Sequence, residues 1–265
     1  MKEVHLQSWP HFLKIADHDP SLKLGSFTYA CRGQSNAQWD LTPSLLRILP
    51  SELSAQEVLD LEHTALNTFK SQAHLYLSPS DFATTTDPVS WFTVMQHHGV
   101  PTRILDWTNS IYVAAYFAVH GTPSSDGAVW LVCVSRVHEH MKKIYGESVL
   151  PIDIAIKDQL FHADAPEVLK FVERHYQSHR MIAQQGIFSL CSNVRGHHGE
   201  ILRNLFCEQS ELEFLKLIVP SSLKPTFAQR LRAMNIAVNS LFPGIDGLGK
   251  SVAELIKLGG ARKKV

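Results

Sequence analysis

The chain has no surplus of charge, since 25 Lys and Arg stand against 25 Asp and Glu. That balance excludes a global field that would gather nucleic acid or an anionic membrane, while leaving room for a local basic cleft. Cysteine is scarce. Cys31, Cys133, Cys191 and Cys207 lie far apart with no C-x-x-C pair, which argues against a disulfide framework or a structural zinc site and fits a reducing compartment. No apolar run approaches the roughly 18 residues of a membrane span. The opening MKEVHLQSWPHFLK lacks the uninterrupted apolar h-region of a secretory signal. A cytoplasmic protein without membrane association is expected. Internal repeats, low-complexity linkers and breaks in composition are absent too, so nothing marks a second domain.

What is present suffices for a sizeable core: 265 residues, 45% of them hydrophobic. The aromatic, β-prone stretch Phe27–Arg32 predicts a strand ending in a tight turn at Gly33. Val58, Leu61, Ala65, Phe69 and Ala73 recur at helical spacing and predict an amphipathic helix from Ser54 to about Leu77. Asp87-Pro88 reads as an N-cap followed by proline at the first helical position, with the helix stopping at Gly99. A further helix is expected over Ser110–His120, and Ala128–Ser135 reads as a buried strand. Val137–Pro166 has mixed polarity and predicts irregular and helical structure. A helix near Glu167–Tyr176, strands at Met181–Leu190 and Phe214–Val219, and a helix over Leu223–Met234 capped by Ser221 or Ser222 complete the pattern. The expected architecture is one α+β domain over residues 1–265, with a mixed or antiparallel β core and flanking helices.

Four segments carry a resemblance. The first is YACRGQSNAQWDLTPSLLR (Tyr29–Arg47) and the second MQHHGVPTRILDWTNSIYVAAYFA (Met95–Ala118). The third is RMIAQQGIFSL (Arg180–Leu190). The fourth runs from Leu217-Ile218-Val219-Pro220 through Asn239-Ser240-Leu241-Phe242-Pro243 to Asp246-Gly247. In this order they resemble the FRG domain, named for an aromatic-Arg-Gly motif that here reads Cys31-Arg32-Gly33, with core motifs over residues 27–250. The resemblance implies a bacterial-type protein, with a toxin or antiphage role among the family's plausible contexts.

The order Arg-Gly, then Thr-x-Ser entering a helix, then a buried strand also looks like the Arg–Ser–Glu class of ADP-ribosyltransferases. That likeness implies a transferase-like fold and NAD as substrate, with no metal. A guanidinium at a strand end suits phosphate, and a following glycine lets the backbone approach the ligand. Arg32, Thr108, Ser110 and Gln185 are the catalytic candidates, joined by Glu213 of the Glu211-Leu212-Glu213 run. Gln184 and Gln185 stand where a carboxylate is wanted, and an amide cannot stabilise a cationic ribose as a carboxylate does. Cofactor contacts are expected from Arg32, Gly33, Gln34, His98, Arg103 and Trp107. Partners would be a small-molecule nucleotide and a protein or nucleic-acid target.

Two other readings stay open. The domain could bind a nucleotide or a protein without turnover. Alternatively His97-His98, Asp106, His197-His198 and Glu200 could serve a nuclease or hydrolase, against the plainer view that one of His97 and His98 caps a helix and the other is solvated. His138-Glu139-His140 reads as a solvated run. Gly244–Ser251 satisfies the P-loop pattern, yet Pro243 stands where the preceding strand should end, and the FRG-type tail explains the same residues. Arg103 and Asp106 are read as a structural pair, with phosphate binding by Arg103 as the rival. Trp91, Trp107, Tyr112, Tyr116 and Phe117 suggest an aromatic pocket or, more plainly, core.

Overall fold

The computed structural model describes residues 1–18, 29–146, 160–172, 178–207 and 213–262. Along the chain come β1 (Lys2–His5), α1 (Trp9–His18), β2 (Tyr29–Gln34), α2 (Ser44–Ile48), α3 (Ala55–Ala73), α4 (Pro79–Thr84) and α5 (Pro88–His97). Next are β3 (Leu105–Thr108), α6 (Ile111–Val119), β4 (Gly127–Cys133), α7 (Val134–Tyr145), β5 (Leu169–Val172), α8 (His179–Ala183) and β6 (Gly186–Cys191). Then follow α9 (His198–Leu205), β7 (Phe214–Val219), α10 (Lys224–Ala233), α11 (Val238–Leu241) and α12 (Ile245–Arg262). The strands form one mixed sheet in the order β1-β7-β4-β2-β3-β6-β5. Only β1 against β7 is parallel; the other ladders are antiparallel. The α+β expectation holds.

Both faces of the sheet are covered. On one, Phe12 of α1, Ala114 and Ala118 of α6 and Phe227 of α10 pack with Leu131 and Leu217. On the other, Val137 of α7 and Leu202 of α9 pack with Trp130, Trp107 and Phe214. β4 is therefore buried along its whole length, as its apolar run predicts. Helix α6 lies against β2 and β4 because both strands carry a glycine beneath it. A Cβ on Gly33 would come within 1.8 Å of the Ala114 carbonyl oxygen, and one on Gly127 within 2.2 Å of that of Ala118. Gly33 thus serves close packing inside a strand, and the expected turn there does not form.

Several other local expectations hold. Asp87 Oδ1 accepts from the Val89 and Ser90 amides at 3.0 and 3.1 Å, and the helix it caps ends before Gly99, whose φ is 84°. Ser54 and Glu57 form a capping box on α3. The buried stripe of α3 is displaced from the predicted one: Val58, Leu59, Glu62, Leu66 and Ala73 face inward, whereas Leu61 is 48% exposed. The inward glutamate is the reason, because its carboxylate has a partner inside.

Three stretches differ from the sequence reading. Leu169–Val172 is a strand paired with β6, not a helix, while 173–176 lie outside the described residues. Within Met181–Leu190, extended structure begins only at Gly186; Ser178 caps α8 ahead of it, and Gln185 adopts φ 48° in the turn between. Helix α10 begins after a 3₁₀ turn at Ser221–Leu223 and has no side-chain cap, since the Ser221 amide donates to Asp126 instead. The P-loop-like residues lie at the start of α12, where no strand leads into a phosphate loop.

Candidate functional site

A split in the sheet makes the site. β2 pairs with β4 over six positions, but with β3 only at Cys31 against Thr108. Past that point the two strands part, and Arg32 fills the gap: its Nη1 donates to the Asp106 carbonyl oxygen at 2.5 Å. A cleft of about 250 Å³ opens there. One wall is Cys31, Arg32 and Gly33 with Asp106, Trp107 and Thr108, and α5 adds Thr93, Gln96 and His97. Arg180, Gln184 and Gly186, from α8 and the turn into β6, continue the lining beside Thr108, with Phe117 and Phe188 supplying apolar surface.

Hydrogen bonds hold the cleft residues in place. Thr108 Oγ1 donates to the Gln184 carbonyl at 2.7 Å and accepts from the Ser110 amide at 3.0 Å, which ties β3 to the turn that leads into β6. Behind the cleft the Trp107 indole donates to Ser189 Oγ at 2.7 Å, and Ser189 Oγ meets His198 Nδ1 at 2.8 Å. Gln184 Nε2 donates to the Leu241 carbonyl at 3.0 Å, linking this wall to the C-terminal helices.

The electrostatics favour an anion. Arg32 and Arg180 supply two permanent cations, and among the described residues lining the cleft Asp106 is the one carboxylate. Burial, opposed by Asp106 and reinforced by Arg47, pulls the Arg32 guanidinium down to about 10. Its Nε is buried and makes no hydrogen bond among the described residues. An anion beside it would satisfy that donor and restore the charged form. Burial, then the neighbouring Arg180 charge, lowers the pKa of His97, which favours a neutral ring at pH 7. Cys31 reaches the cleft, but burial pushes its thiol up to about 12, so it offers no thiolate.

Of the residues named for a nucleotide site the cleft gathers Arg32, Gly33, Trp107 and Thr108, and it also holds His97 and Asp106, named for a hydrolase. The others have different work. Ser110 Oγ, in a buried residue, accepts from the Val113 amide at 3.3 Å as the N-cap of α6. Gln185 contributes its carbonyl to the Asn109 amide at 3.0 Å, and it is Gln184 that lines the cleft. Gln34 accepts from the Trp130 indole at 2.6 Å and donates to the Asp40 carbonyl at 3.0 Å. Glu213, at the start of β7 and separated from β2 by β4, accepts from Arg136 Nε at 2.8 Å. His98 is the exposed C-cap of α5, whereas its neighbour His97 faces the cleft.

Arg103 does not pair with Asp106. Its side chain is 1% exposed and meets Glu62, 3% exposed, through Nε at 2.9 Å and again through Nη2. Its Nη1 and Nη2 donate to the Ser192 and Leu160 carbonyls at 2.9 and 3.0 Å. His138 is half-buried, its Nε2 accepting from the Phe171 amide at 3.3 Å, so the expected solvated run is solvated only in part. Of the five aromatics, Trp91, Trp107 and Tyr116 are buried in the core, Tyr112 packs partly buried against it, and Phe117 lines the cleft. Among the described residues no group of three His, Cys, Asp or Glu is placed to hold a metal ion, and no helix is long and apolar enough to cross a membrane.

Sequence reasoning left out Arg180 and Gln96 as ligand contacts, and named His97 only for the hydrolase reading. Arg180 opens the third family-like segment, so the signal was its position in RMIAQQG rather than its chemistry.

The arginine-bearing strand β2 and its neighbour β3, which carries Asp106, Trp107 and Thr108, fall in a single recognisable stretch. Residues 27–127 match the family model described as the FRG domain. The resemblance carried by Cys31-Arg32-Gly33 and by the second segment is thereby supported. The FRG match takes in β2 through α6 and ends where β4 begins, so it contains Arg32, Asp106 and Thr108 but not the wall carrying Arg180 and Gln184. No curated protein and no solved structure matches the chain.

Proposed function

We propose that the cleft binds a phosphorylated ligand of the nucleotide class, NAD among the candidates, with its phosphate held between Arg32 and Arg180. The observation that carries this reading is that two arginines, Arg32 and Arg180, line one cleft in a chain whose total charge is balanced. Arg32 has a buried donor to spare, and Arg180, stacked 4.7 Å over the Phe242 ring, has no ion pair among the described residues. Planar, fork-shaped donors of this kind suit a phosphate's oxygens. Phe117 and Phe188 supply the apolar surface on which a base or a nicotinamide ring would rest. Since both parts of the lining are needed, the functional unit extends beyond the FRG match to at least Gly186.

A second reading, glycosidic turnover, is favoured by Asp106. Breaking a nicotinamide–ribose bond creates positive charge on the sugar, and this carboxylate is in the cleft where Gln185 and Glu213 are not. The test is calorimetric titration with NAD and with AMP, run beside a nicotinamide-release assay. Binding that Arg32→Gln weakens at least roughly tenfold supports the phosphate reading. Release that Asp106→Asn abolishes supports turnover as well. If neither compound binds the wild-type protein, the cleft is not a nucleotide site.

A further inference from the structure

On the far side of Arg32 lies a second cavity of about 180 Å³, walled by α2 and by the turn from Gly99 to Asp106. It shares Arg32, Gln96 and Asp106 with the first, so the two cavities adjoin the same three residues. Their chemistry differs. The first holds the aromatic surface, whereas the second has no aromatic lining and adds Arg47.

Resting on the nucleotide reading above, we infer that the second lobe takes a terminal phosphate, so that the site selects a nucleoside di- or triphosphate over a monophosphate. The base and ribose occupy the aromatic lobe, the first phosphate sits at Arg32, and the terminal phosphate passes beyond it to Arg47. Arg47 is exposed in the last turn of α2 and forms no ion pair among the described residues. Arg32 and Arg47 stand close enough that the charge of Arg47 disfavours that of Arg32. A polyanion bridging them removes that repulsion. Asp106 offsets one of the three arginines around the two lobes, and two positive charges remain for the phosphates.

The second lobe is also braced in advance. Ser44 Oγ accepts from the Thr102 amide at 3.0 Å, the Leu45 amide donates to the Thr102 carbonyl at 3.1 Å, and Thr102 Oγ1 donates to Gln96 Oε1. With its Oε1 so engaged, Gln96 has its amide N–H groups left for a ligand. One residue further on, Arg103 is anchored on Glu62. These bonds hold α2, and with it Arg47, against the turn, so little ordering is required when a phosphate arrives.

The test is calorimetry of AMP, ADP and inorganic pyrophosphate on the wild-type chain and on Arg47→Gln, a substitution at an exposed position. ADP is expected to bind at least about tenfold more tightly than AMP, and Arg47→Gln to erase that margin while leaving AMP within roughly twofold. Pyrophosphate binding should fall in the same variant. Equal affinity for ADP and AMP in the wild type, or an Arg47→Gln loss that is the same for both, overturns the terminal-phosphate inference and leaves the nucleotide reading standing. Failure of all three compounds to bind overturns both.

Discussion

Arg32 and Arg103 are two arginines on neighbouring segments, and the structure uses them in opposite ways. Arg103 is sealed from solvent and directs its donors at Glu62 and at the carbonyls of Ser192 and Leu160. Arg32 borders open space, donates to a single carbonyl, and keeps a buried Nε with no partner. A guanidinium whose donors are satisfied within the protein is part of the architecture. One left with unmet donors at a cavity is poised for something from outside. Both stand in segments that resemble the FRG family, so the motif alone does not separate the roles; the partners do.

The largest effect that sharpens this contrast is on stability. Arg103→Ala would strand the Glu62 carboxylate in the interior, and removing one member of a buried ion pair costs about 3–5 kcal/mol. Urea denaturation should show that loss, and an unchanged midpoint would mean that the Arg103–Glu62 pair adds nothing to stability.

Next comes a pH dependence centred behind Arg32. Burial, helped by the charge of Arg32, holds His198 down to about 3. The unfolded chain takes up its proton near pH 6.5 and the folded one only near 3, so the unfolded state binds more protons in between. Stability from this residue is full above pH 6.5 and declines as pH falls toward 3, by roughly 1.4 kcal/mol per unit within the window. His198→Gln should flatten that slope, measured as the denaturation midpoint at pH 7, 6 and 5. A slope identical to the wild type would place the acid sensitivity elsewhere.

The smallest stability effect belongs to Arg32 itself. Arg32→Gln gives up one hydrogen bond but also relieves an unpaired buried donor, so the change should stay within about 1 kcal/mol. A loss as large as that of Arg103→Ala would make both arginines structural and erase the comparison.

Much of the fold could be read from local chemistry. The Asp87-Pro88 start, the Ser110 entry to α6 and the apolar runs of β4 and β7 are signals contained within a few residues, and they sit where expected. The failures came from long range. Leu169–Val172 is extended because β6 pairs with it, and its own residues carry no such instruction. Glu62 lies 41 residues before Arg103, so no spacing rule brings them together, and the resulting pair moved the buried stripe of α3. At the site, Arg32, Gly33, Trp107 and Thr108 were legible because two short sequence motifs, each on one strand, carry them. Arg180 was not, since an arginine in the short helix α8 resembles a surface residue until β6 folds back beside β3. Ser110 and Gln185 misled for a related reason: residues suited to contact a ligand are equally suited to cap a helix or close a turn.

Arginine-selective labelling with phenylglyoxal, mapped by mass spectrometry with and without ADP, tests the contrast most directly. The reagent attacks a neutral guanidine, and Arg32 is held down to about 10 and borders the cleft. Arg32 should therefore label readily in the free protein and be shielded by ADP, while Arg103 stays inert in both samples. Labelling of Arg32 that ADP leaves unchanged, or an Arg103 that reacts as fast as Arg32, would contradict the account.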